Sequence, residues 1–405
     1  MAYGLLGRKL GHSWSPAIHA ELGSTPYTLH ELEPEELCAF LETTSLSALN
    51  VTIPYKKDVL PYCTVLSDAA KKMGCINTMV KKADGWHGDN TDYYGFTYMV
   101  KQAGMDPKGK KCLVLGSGGA SLTVVQVLQD MGAASVVVIS RSGKDNYDNL
   151  SLHADAELIV NATPVGMYPN NGVSPVDLTV FPECKAVLDL IYNPRRTALL
   201  IAAEKLGIPC CSGLTMLVAQ AKRAAELFMD CTLPDTLIPR IVEKLQRQME
   251  NIVLIGMPGC GKTTIANALG KELGMDVVDA DAEIEAMAGK TIPQIFAEGG
   301  EDAFRQLETC VLDNLGKRSG IIISTGGGCV TRKENYPHLH QNGKIIWLTR
   351  ELEALPTEGR PLSQTNDLAD MYCVRRPMYQ YFADMTVDNT GTVESTVSAI
   401  KEALL

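Results

Sequence analysis

The sequence has no apolar run long enough to cross a bilayer. Its longest runs, such as "SVVVIS" at 135–140 and "NIVLIG" at 251–256, fall far short of the about 20 residues a membrane helix needs. The opening "MAYGLLGRKLGHSWSP" lacks the apolar core of a secretory signal, because Gly7, Arg8 and Lys9 interrupt it. The twelve cysteines form no CxxC pair; the nearest neighbours are the adjacent Cys210 and Cys211. Reduced thiols and a cytoplasmic location are therefore expected, most cysteines serving as small buried side chains. A basic excess is also missing. The net charge is −10, with 14 Lys and Arg against 22 Asp and Glu from Met249 onward, and 23 against 25 before it. That balance argues against a nucleic-acid footprint in either half. No 20–50 residue repeat and no low-complexity tract is present.

What is present is a globular composition, 45% hydrophobic and 21% charged over 405 residues. That length exceeds one ordinary core and predicts two or three domains. Glycine turns alternate with β-branched runs and helical patterns, which predicts an α/β fold. An early series, "YGLLG", "ALNVTIP" and "INTMV", precedes a second, "CLVLG", "SVVVIS", "ELIVNAT" and "AVLDLIY". The second series reads as a doubly wound parallel sheet. A helix is predicted over "GLTMLVAQAKRAAELF", with Leu214, Leu217, Val218, Ala221 and Ala225 on one face. Pro234 and Pro239 punctuate the best boundary, after which a charged helical run leads straight into a new α/β series at Met249.

Two stretches carry chemistry. "CLVLGSGGASLTVVQVLQDMG" is a strand, a glycine turn and a helix. Gly116, Gly118 and Gly119 permit a tight turn and close approach to a pyrophosphate, which the helix N-terminus favours. The next strand ends in Ser140 and Arg141, with no acid where a 2′-hydroxyl would be bound. An arginine there suits a 2′-phosphate and so NADP(H); a solvated arginine at a strand end is the plain alternative. Upstream, Lys56 follows a strand and a proline, and Asp89 and Asp92 flank a turn before a helix. A lysine beside a carboxylate can protonate the alkoxide formed when a ketone is reduced. On spacing alone, an ordinary surface lysine is the better reading of Lys56, and a helix cap that of Asp92.

The second stretch, "GMPGCGKT" at 256–263, fits G-x4-G-K-T between a strand and a helix. Backbone N–H groups around Gly259 and Gly261 would cradle phosphates, Lys262 would reach the β/γ oxygens, and Thr263 would hold Mg²⁺. The next strand ends in Asp279 and Asp281. Asp279 could reach Mg²⁺ through water and Asp281 an acceptor hydroxyl; capping the next helix is the alternative. An acceptor with a carboxylate would need fixed cations, which Arg305, oriented by Glu308 one helical turn on, and Arg360, Arg375 and Arg376 would supply; a surface arginine is the plain alternative for each.

From Gly4 to about Phe228 the chain resembles shikimate dehydrogenase. It carries "GHSWSPAIH", "NVTIPYK", "GCINT", "GDNTDYYG", "GSGGA", "NATPVGMYP", "DLIYNP" and "GLTMLVAQA" in that family's order. The resemblance implies Lys56 and Asp92 as the catalytic pair. It implies Ser13, Ser15, Thr52, Asn77, Asp92, Tyr192 and Gln220 as substrate contacts, and Gly116, Ser117, Gly118, Gly119, Ala120 and Arg141 as the NADP(H) site, with Asp68, Asn161 and Gly213 nearby. Two departures stand out. Ser117 replaces the usual alanine, and the stretch from Arg141 to Asn161 leaves little room for a helix, so part of the adenosine-side wall is expected to be reduced.

From Glu250 to Leu405 the chain resembles shikimate kinase, through "GMPGCGKTT", "DADAEIE", "IFAEGGEDAFRQLE", "STGGG", "EGRPLSQ" and "RRPMYQYFAD". This implies ATP and Mg²⁺ at Gly259, Cys260, Gly261, Lys262, Thr263 and Thr264, with Thr263 and Asp279 toward the metal. It implies shikimate at Asp281, Arg305, Gly327 and Arg375, with Arg360 as the lid arginine and Lys262, Asp281 and Arg360 as the catalytic groups. Arg375 is preferred to Arg376 because the family pattern reads R-x-P-x-Y. The lid "RELEALPTEGRPLSQ" is short, which predicts poorer exclusion of water.

Together the resemblances imply an α/β substrate-binding domain at 1–98 plus about 213–235 and a Rossmann-type, doubly wound NADP domain at 99–212. A linker helix at 236–249 and a P-loop α/β kinase domain of the nucleoside-monophosphate-kinase type at 250–405 follow. The expected activity is reduction of 3-dehydroshikimate with NADPH followed by MgATP-dependent phosphorylation of shikimate, in a monomer or homodimer with small-molecule partners, no nucleic acid and no membrane. Two rivals remain at this point: an NAD-dependent quinate/shikimate dehydrogenase fused to another small-acid kinase, and a non-catalytic nucleotide and redox sensor.

Overall fold

The computed structural model describes every residue except His12, 355–367 and Leu405. The chain divides into two compact units. The first holds Met1–Met167, Val173–Asn193 and Leu199–Leu245; the second holds Tyr168–Gly172, Pro194–Ala198 and Gln246–Leu405. No helix among the described residues is long and apolar enough to cross a membrane.

The first unit contains two sheets. The elements of the first are β1 (Tyr3–Gly7), α1 (Ser15–Leu22), β2 (Tyr27–Glu31), α2 (Leu37–Thr43), β3 (Ala48–Val51), β4 (Cys63–Leu66), α3 (Asp68–Met73), β5 (Thr78–Lys82), β6 (Gly85–Asp89) and α4 (Asp92–Gln102). The strand order is β2-β1-β3-β5-β6-β4. β1 runs parallel to β2 and β3, and β5 runs antiparallel to both β3 and β6. Every residue of β1 and β3 is buried, as strands covered on both faces require. Pro16 in the first turn of α1 and left-handed Gly23 just past its end set that helix's limits.

The second sheet is built from β7 (Lys111–Leu115), α5 (Gly119–Asp130), β8 (Ser135–Ile139), β9 (Leu158–Asn161), β10 (Ala186–Asp189), α6 (Ala198–Lys205) and β11 (Cys210–Ser212). Its five strands are all parallel, in the order β11-β10-β9-β7-β8. Counted within this sheet, the order is 2-1-3-4-5, a doubly wound topology whose switch point lies between β7 and β9. A ligand crevice belongs at the carboxyl ends of those two strands. Between Arg141 and β9 the described residues form one 3₁₀ turn, Leu150–His153, and no further strand or helix. β8 therefore stays at the sheet edge, with Val136, Val137 and Val138 only half-buried. The short segment noted in the sequence thus removes elements from the outer side of β8.

The unit closes with α7 (Leu214–Met229) and α8 (Leu237–Met249). Leu214, Val218, Ala221 and Ala225 of α7 are buried as the helical pattern predicts, and Leu217 is partly buried. Ile238, Ile241 and Leu245 of α8 join the same apolar cluster. The stretch expected as a linker helix is therefore a packed element over most of its length, and only its last residues are counted with the second unit. α4 and α7 approach closely because Gly95 has no Cβ; one there would stand 2.7 Å from the Met216 carbonyl oxygen.

The second unit contains β12 (Asn251–Ile255), α9 (Lys262–Leu273), β13 (Asp276–Asp279), α10 (Ala280–Ala288), α11 (Ile292–Gly316), β14 (Ile321–Ser324), α12 (Asn335–His340), β15 (Gly343–Thr349), α13 (Leu368–Phe382), β16 (Met385–Asp388) and α14 (Val393–Leu404). Its sheet is parallel throughout, in the order β13-β14-β12-β15-β16. The central strand β12 is buried along its whole length. It delivers the glycine-rich loop to the carboxyl edge of the sheet, where parallel α/β sheets bind ligands.

Candidate active sites

In the first unit a cavity of about 540 Å³ opens between the two sheets. Lys56, just beyond β3, donates to Asp92 Oδ2 at 2.6 Å, and Asp92 is the first residue of α4. Asn77 Nδ2 donates to the other carboxylate oxygen of Asp92 at 2.9 Å. Asn77 is itself fixed, because its Oδ1 accepts the Thr91 N–H at 2.8 Å and its Nδ2 reaches Gln220 Oε1 at 3.3 Å. The close α4–α7 packing at Gly95 is what brings Gln220 to this network. Ser13, Ser15, Thr52, Tyr192 and Gln220 complete a hydroxyl- and amide-rich lining, and Ser13 Oγ accepts the Ser15 N–H at 3.2 Å. Burial raises the Tyr192 phenol above its ordinary range, so it stays neutral. Such a wall suits a small polyol, since each buried hydroxyl of a ligand needs a partner.

The glycine turn follows β7 at the switch point. Gly116 has φ 102°, and a Cβ there would stand 2.8 Å from Thr163 Cγ2. At Gly118 and Gly119, by contrast, a Cβ would meet nothing within 4 Å. The first glycine serves the turn, and the next two leave open space at the start of α5, where free N–H groups favour an anion. Ser117 lies within this turn, and Ala120, on the first turn of α5, lines the cavity. Arg141 is exposed just past β8. Its charge reaches Tyr147, whose phenol burial pushes up and Arg141 pulls back.

Three expected cofactor residues have other roles in the structure. Asn161 is fully buried; it donates to Asp189 at 3.0 Å and accepts from the Thr163 N–H and hydroxyl at 3.0 and 2.7 Å. It holds the turn after β9 and offers no side-chain group to a ligand. Asp68 is the first residue of α3, with a side chain 99% exposed and a distant pairing to Lys71 at 3.9 Å; it does not line the cavity. Gly213 does line it, but a Cβ there would stand 2.0 Å from the Leu190 carbonyl oxygen, so the glycine is needed for backbone approach. Leu10, Leu190, Met216 and Leu217 also line this cavity, as does Lys9. None of them was expected at the site.

In the second unit a cavity of about 600 Å³ spans the glycine-rich loop and the space over β13 and β14. Gly256, Gly259 and Gly261 have φ of 147°, 86° and 94°, conformations that L side chains rarely adopt. Lys262 is buried, and its ammonium donates to the Gly256 and Met257 carbonyls of its own loop at 2.9 and 3.0 Å. Cys260 is fully buried, and its carbonyl accepts from Asn389 at 2.6 Å; its N–H is likewise taken, by the Met257 carbonyl at 3.2 Å. Thr263 and Thr264 are exposed in the cavity. Thr263 Oγ1 donates to Asp279 Oδ2 at 2.9 Å. Among the described residues no group of three His, Cys, Asp or Glu could hold a metal. One hydroxyl and one carboxylate fit a cation that takes its other ligands from phosphate and water, as Mg²⁺ does.

The acceptor side gathers Asp281, Arg305, Glu308 and Arg375. Asp279 also caps α10 by accepting the Asp281 and Ala282 N–H groups at 3.0 and 3.4 Å. Burial raises the Asp281 carboxyl, and Asp279 adds to this, while Lys262 and Arg305 oppose it. Arg305 Nη1 donates to Glu308 at 2.7 Å. Burial pushes Glu308 up as well, with Arg305 pulling it back. One oxygen of Asp281 and one of Glu308 lack a hydrogen-bond partner among the described residues, and both would lie about 3 Å from a Cβ at Gly326. The three glycines thus have separate reasons. Gly327 packs on Pro258, while at Gly328 a Cβ would stand 2.1 Å from the Arg305 guanidinium. Gly327 O accepts from Arg375 at 3.1 Å and from Tyr379 at 2.5 Å. Arg375 is buried in the cavity and Arg376 is exposed outside it. Arg360 and most of the lid lie outside the described residues. Phe296 and Phe304, stacked at 4.8 Å, and Arg350 also line the cavity without having been expected to.

Comparison with known proteins finds a family model in each part of the chain. Residues 5–79 match the model for the shikimate dehydrogenase substrate binding domain, and residues 258–405 match that for shikimate kinase. A shikimate dehydrogenase (NADP(+)) from Clostridium beijerinckii is 36% identical over 255 residues, covering 58% of this chain and 94% of that protein. A chorismate mutase/shikimate 5-dehydrogenase fusion protein from Clostridium acetobutylicum superposes with a TM-score of 0.58 at 37% identity, covering 60% of this chain and 97% of that one. Shikimate 5-dehydrogenase from Thermus thermophilus, solved with NADP(H) and shikimate, gives 0.55 at 30% identity, covering 60% and 99%. The chain belongs to the shikimate dehydrogenase family through its N-terminal part and carries a shikimate kinase domain at its C-terminus.

Proposed function

We propose that this bifunctional shikimate-pathway enzyme makes a hydroxyl in its first unit and phosphorylates that same hydroxyl in its second. The observation that carries this is the pair of cavities, one built around Lys56–Asp92 and one around a phosphate loop facing Asp281, Arg305 and Arg375. The first reaction takes 3-dehydroshikimate, NADPH and a proton to shikimate and NADP⁺. NADPH supplies the hydride. Lys56 Nζ gives a proton to the carbonyl oxygen at C3, and Asp92, oriented by Asn77, holds and aims Lys56. Ser13, Ser15, Thr52, Tyr192 and Gln220 hold the ring substituents. The open turn at Gly118 and Gly119 takes the pyrophosphate, and Arg141 the 2′-phosphate.

The second reaction takes shikimate and MgATP to shikimate 3-phosphate, ADP and a proton. Thr263 and Asp279 would hold Mg²⁺, which neutralises phosphate charge. Lys262 leaves its loop carbonyls for the β/γ oxygens. Arg305 and Arg375 take the substrate carboxylate, while Asp281, with its raised pKa, accepts the proton of the attacking hydroxyl. Arg360 keeps, from its motif alone, the role of neutralising the transferring phosphoryl group.

By this reading residues 1–98 with about 213–235 form the substrate domain, 99–212 the nucleotide domain and 250–405 the kinase. The named side chains all come from one chain, so a monomer or a homodimer suffices. A reducing cytoplasm suits its twelve unpaired cysteines. Supplying 3-dehydroshikimate, NADPH and MgATP should yield shikimate 3-phosphate. Lys56→Ala should stop NADPH oxidation and spare phosphorylation of added shikimate, and Lys262→Ala should do the reverse. Loss of both activities in either folded variant would refute two independent sites.

A further inference from the structure

Among the described residues the dehydrogenase cavity is lined by three charged side chains, Lys9, Lys56 and Asp92. Lys56 and Asp92 neutralise each other at 2.6 Å. Lys9 is the charge left over. It stands in the loop between β1 and α1, four residues before Ser13, and its side chain is exposed at the cavity wall. Nearby acids are engaged elsewhere. Glu31 Oε1 accepts the Leu10 N–H at 2.5 Å, and Glu33 pairs with Arg8 at 2.7 Å. Lys9 forms no ion pair among the described residues.

The substrate of this site is an acid. Ser13 and Ser15 can donate hydrogen bonds to its carboxylate but cannot offset its charge. We propose that Lys9 is the counter-charge for the substrate carboxylate, drawing the anion into the cavity and holding that end of it beside Ser13 and Ser15. The inference rests on the dehydrogenase reading above. Lys9 acts on binding and takes no part in proton transfer, which Lys56 performs. The positive charge also fixes orientation: an acid bound by Lys9 at the loop leaves its ring hydroxyls for Asn77, Asp92 and Gln220, which line the same cavity.

The test is steady-state oxidation of shikimate with NADP⁺ by the full chain. Lys9→Gln should raise the KM for shikimate about five- to tenfold while kcat stays within about twofold, and Lys9→Arg should restore the KM. Added salt should raise the wild-type KM toward that of Lys9→Gln and leave the variant's nearly flat. Methyl shikimate, which lacks the charge, should inhibit both proteins equally, and the retained kcat for shikimate oxidation reports that the variant's first unit is folded. A KM unchanged in Lys9→Gln, no restoration by Lys9→Arg, or methyl shikimate weakened as much as shikimate would each overturn the inference. A wild type with no shikimate oxidation would instead sink the dehydrogenase reading, and this inference with it.

Discussion

In the first unit the lysine proposed as proton donor, Lys56, stands 2.6 Å from the carboxylate of Asp92. In the second, the phosphate-loop lysine, Lys262, lies buried against two carbonyls of its own loop. Both are held, but by partners of different strength. A carboxylate fixes an ammonium by charge and hydrogen bond together, whereas carbonyl dipoles release it when a polyphosphate arrives. The chemistry explains the difference. Proton transfer needs a donor whose charge and aim are settled before the substrate binds. Phosphoryl transfer needs cations still free to follow charge onto the transferring group. The arginines reverse the assignment: in the second unit Arg305, on the acceptor side, is tied to the Glu308 carboxylate at 2.7 Å, and in the first unit Arg141 is exposed just past β8.

The largest effect is expected where the preformed pair is broken. Asp92→Asn keeps the Asn77 contact but removes the charge that holds Lys56. The dehydrogenase kcat should fall about 10²- to 10³-fold, with phosphorylation of added shikimate unchanged. A loss under about fivefold in stopped or steady-state assays would mean that Lys56 is positioned by something other than Asp92.

A smaller effect on the other unit sharpens the contrast. Gly328→Ala would place a methyl group 2.1 Å from the Arg305 guanidinium. The backbone there has φ −102°, which alanine adopts freely, so the change is purely steric. Arg305 must move off the acceptor site, and kcat/KM for shikimate phosphorylation should drop about 10²-fold, a loss of misplaced binding rather than of chemistry. An unaltered KM for shikimate would show that Arg305 does not bind the acceptor.

The sequence made some of this legible and hid the rest for physical reasons. The phosphate loop was readable directly, because its glycines, lysine and threonine are consecutive and each has a stated job. The Lys56–Asp92 pair, 36 residues apart, was recognisable only through resemblance, since spacing alone cannot bring β3 and α4 together. The parallel sheets followed from the strand pattern, but the 2-1-3-4-5 order did not; only the shortness of the stretch after Arg141 hinted at it. Asn161, expected near the cofactor, has its side chain taken by hydrogen bonds to Asp189 and Thr163. Asp68 was expected there too and points into solvent. Lys9 and Arg350 carry no motif, and their places became visible only with the cavity walls.

The smallest effect concerns stability, and here the two units differ in sign. His19 is buried in the first unit, where burial pushes its pKa down to about 3. The unfolded chain takes up that proton near pH 6.5 and the folded chain does not, so stability from this group is lost as pH falls below 6.5. Asp281 and Glu308 in the second unit are pushed up by burial. There the folded state binds protons first, so acid relieves a cost that is present at neutral pH. Trp347→Phe leaves Trp14 and Trp86, both in the first unit, as fluorescent reporters. In urea unfolding followed by that signal, the first unit should lose stability between pH 7.5 and 5.5. Adding His19→Gln should shrink the loss by about 1.4 kcal/mol, one proton over one pH unit below 6.5. Equal losses with and without His19 would mean that the folded first unit admits the proton, and that its core is more open to water than the packing of His19 against Tyr27 at 4.1 Å implies.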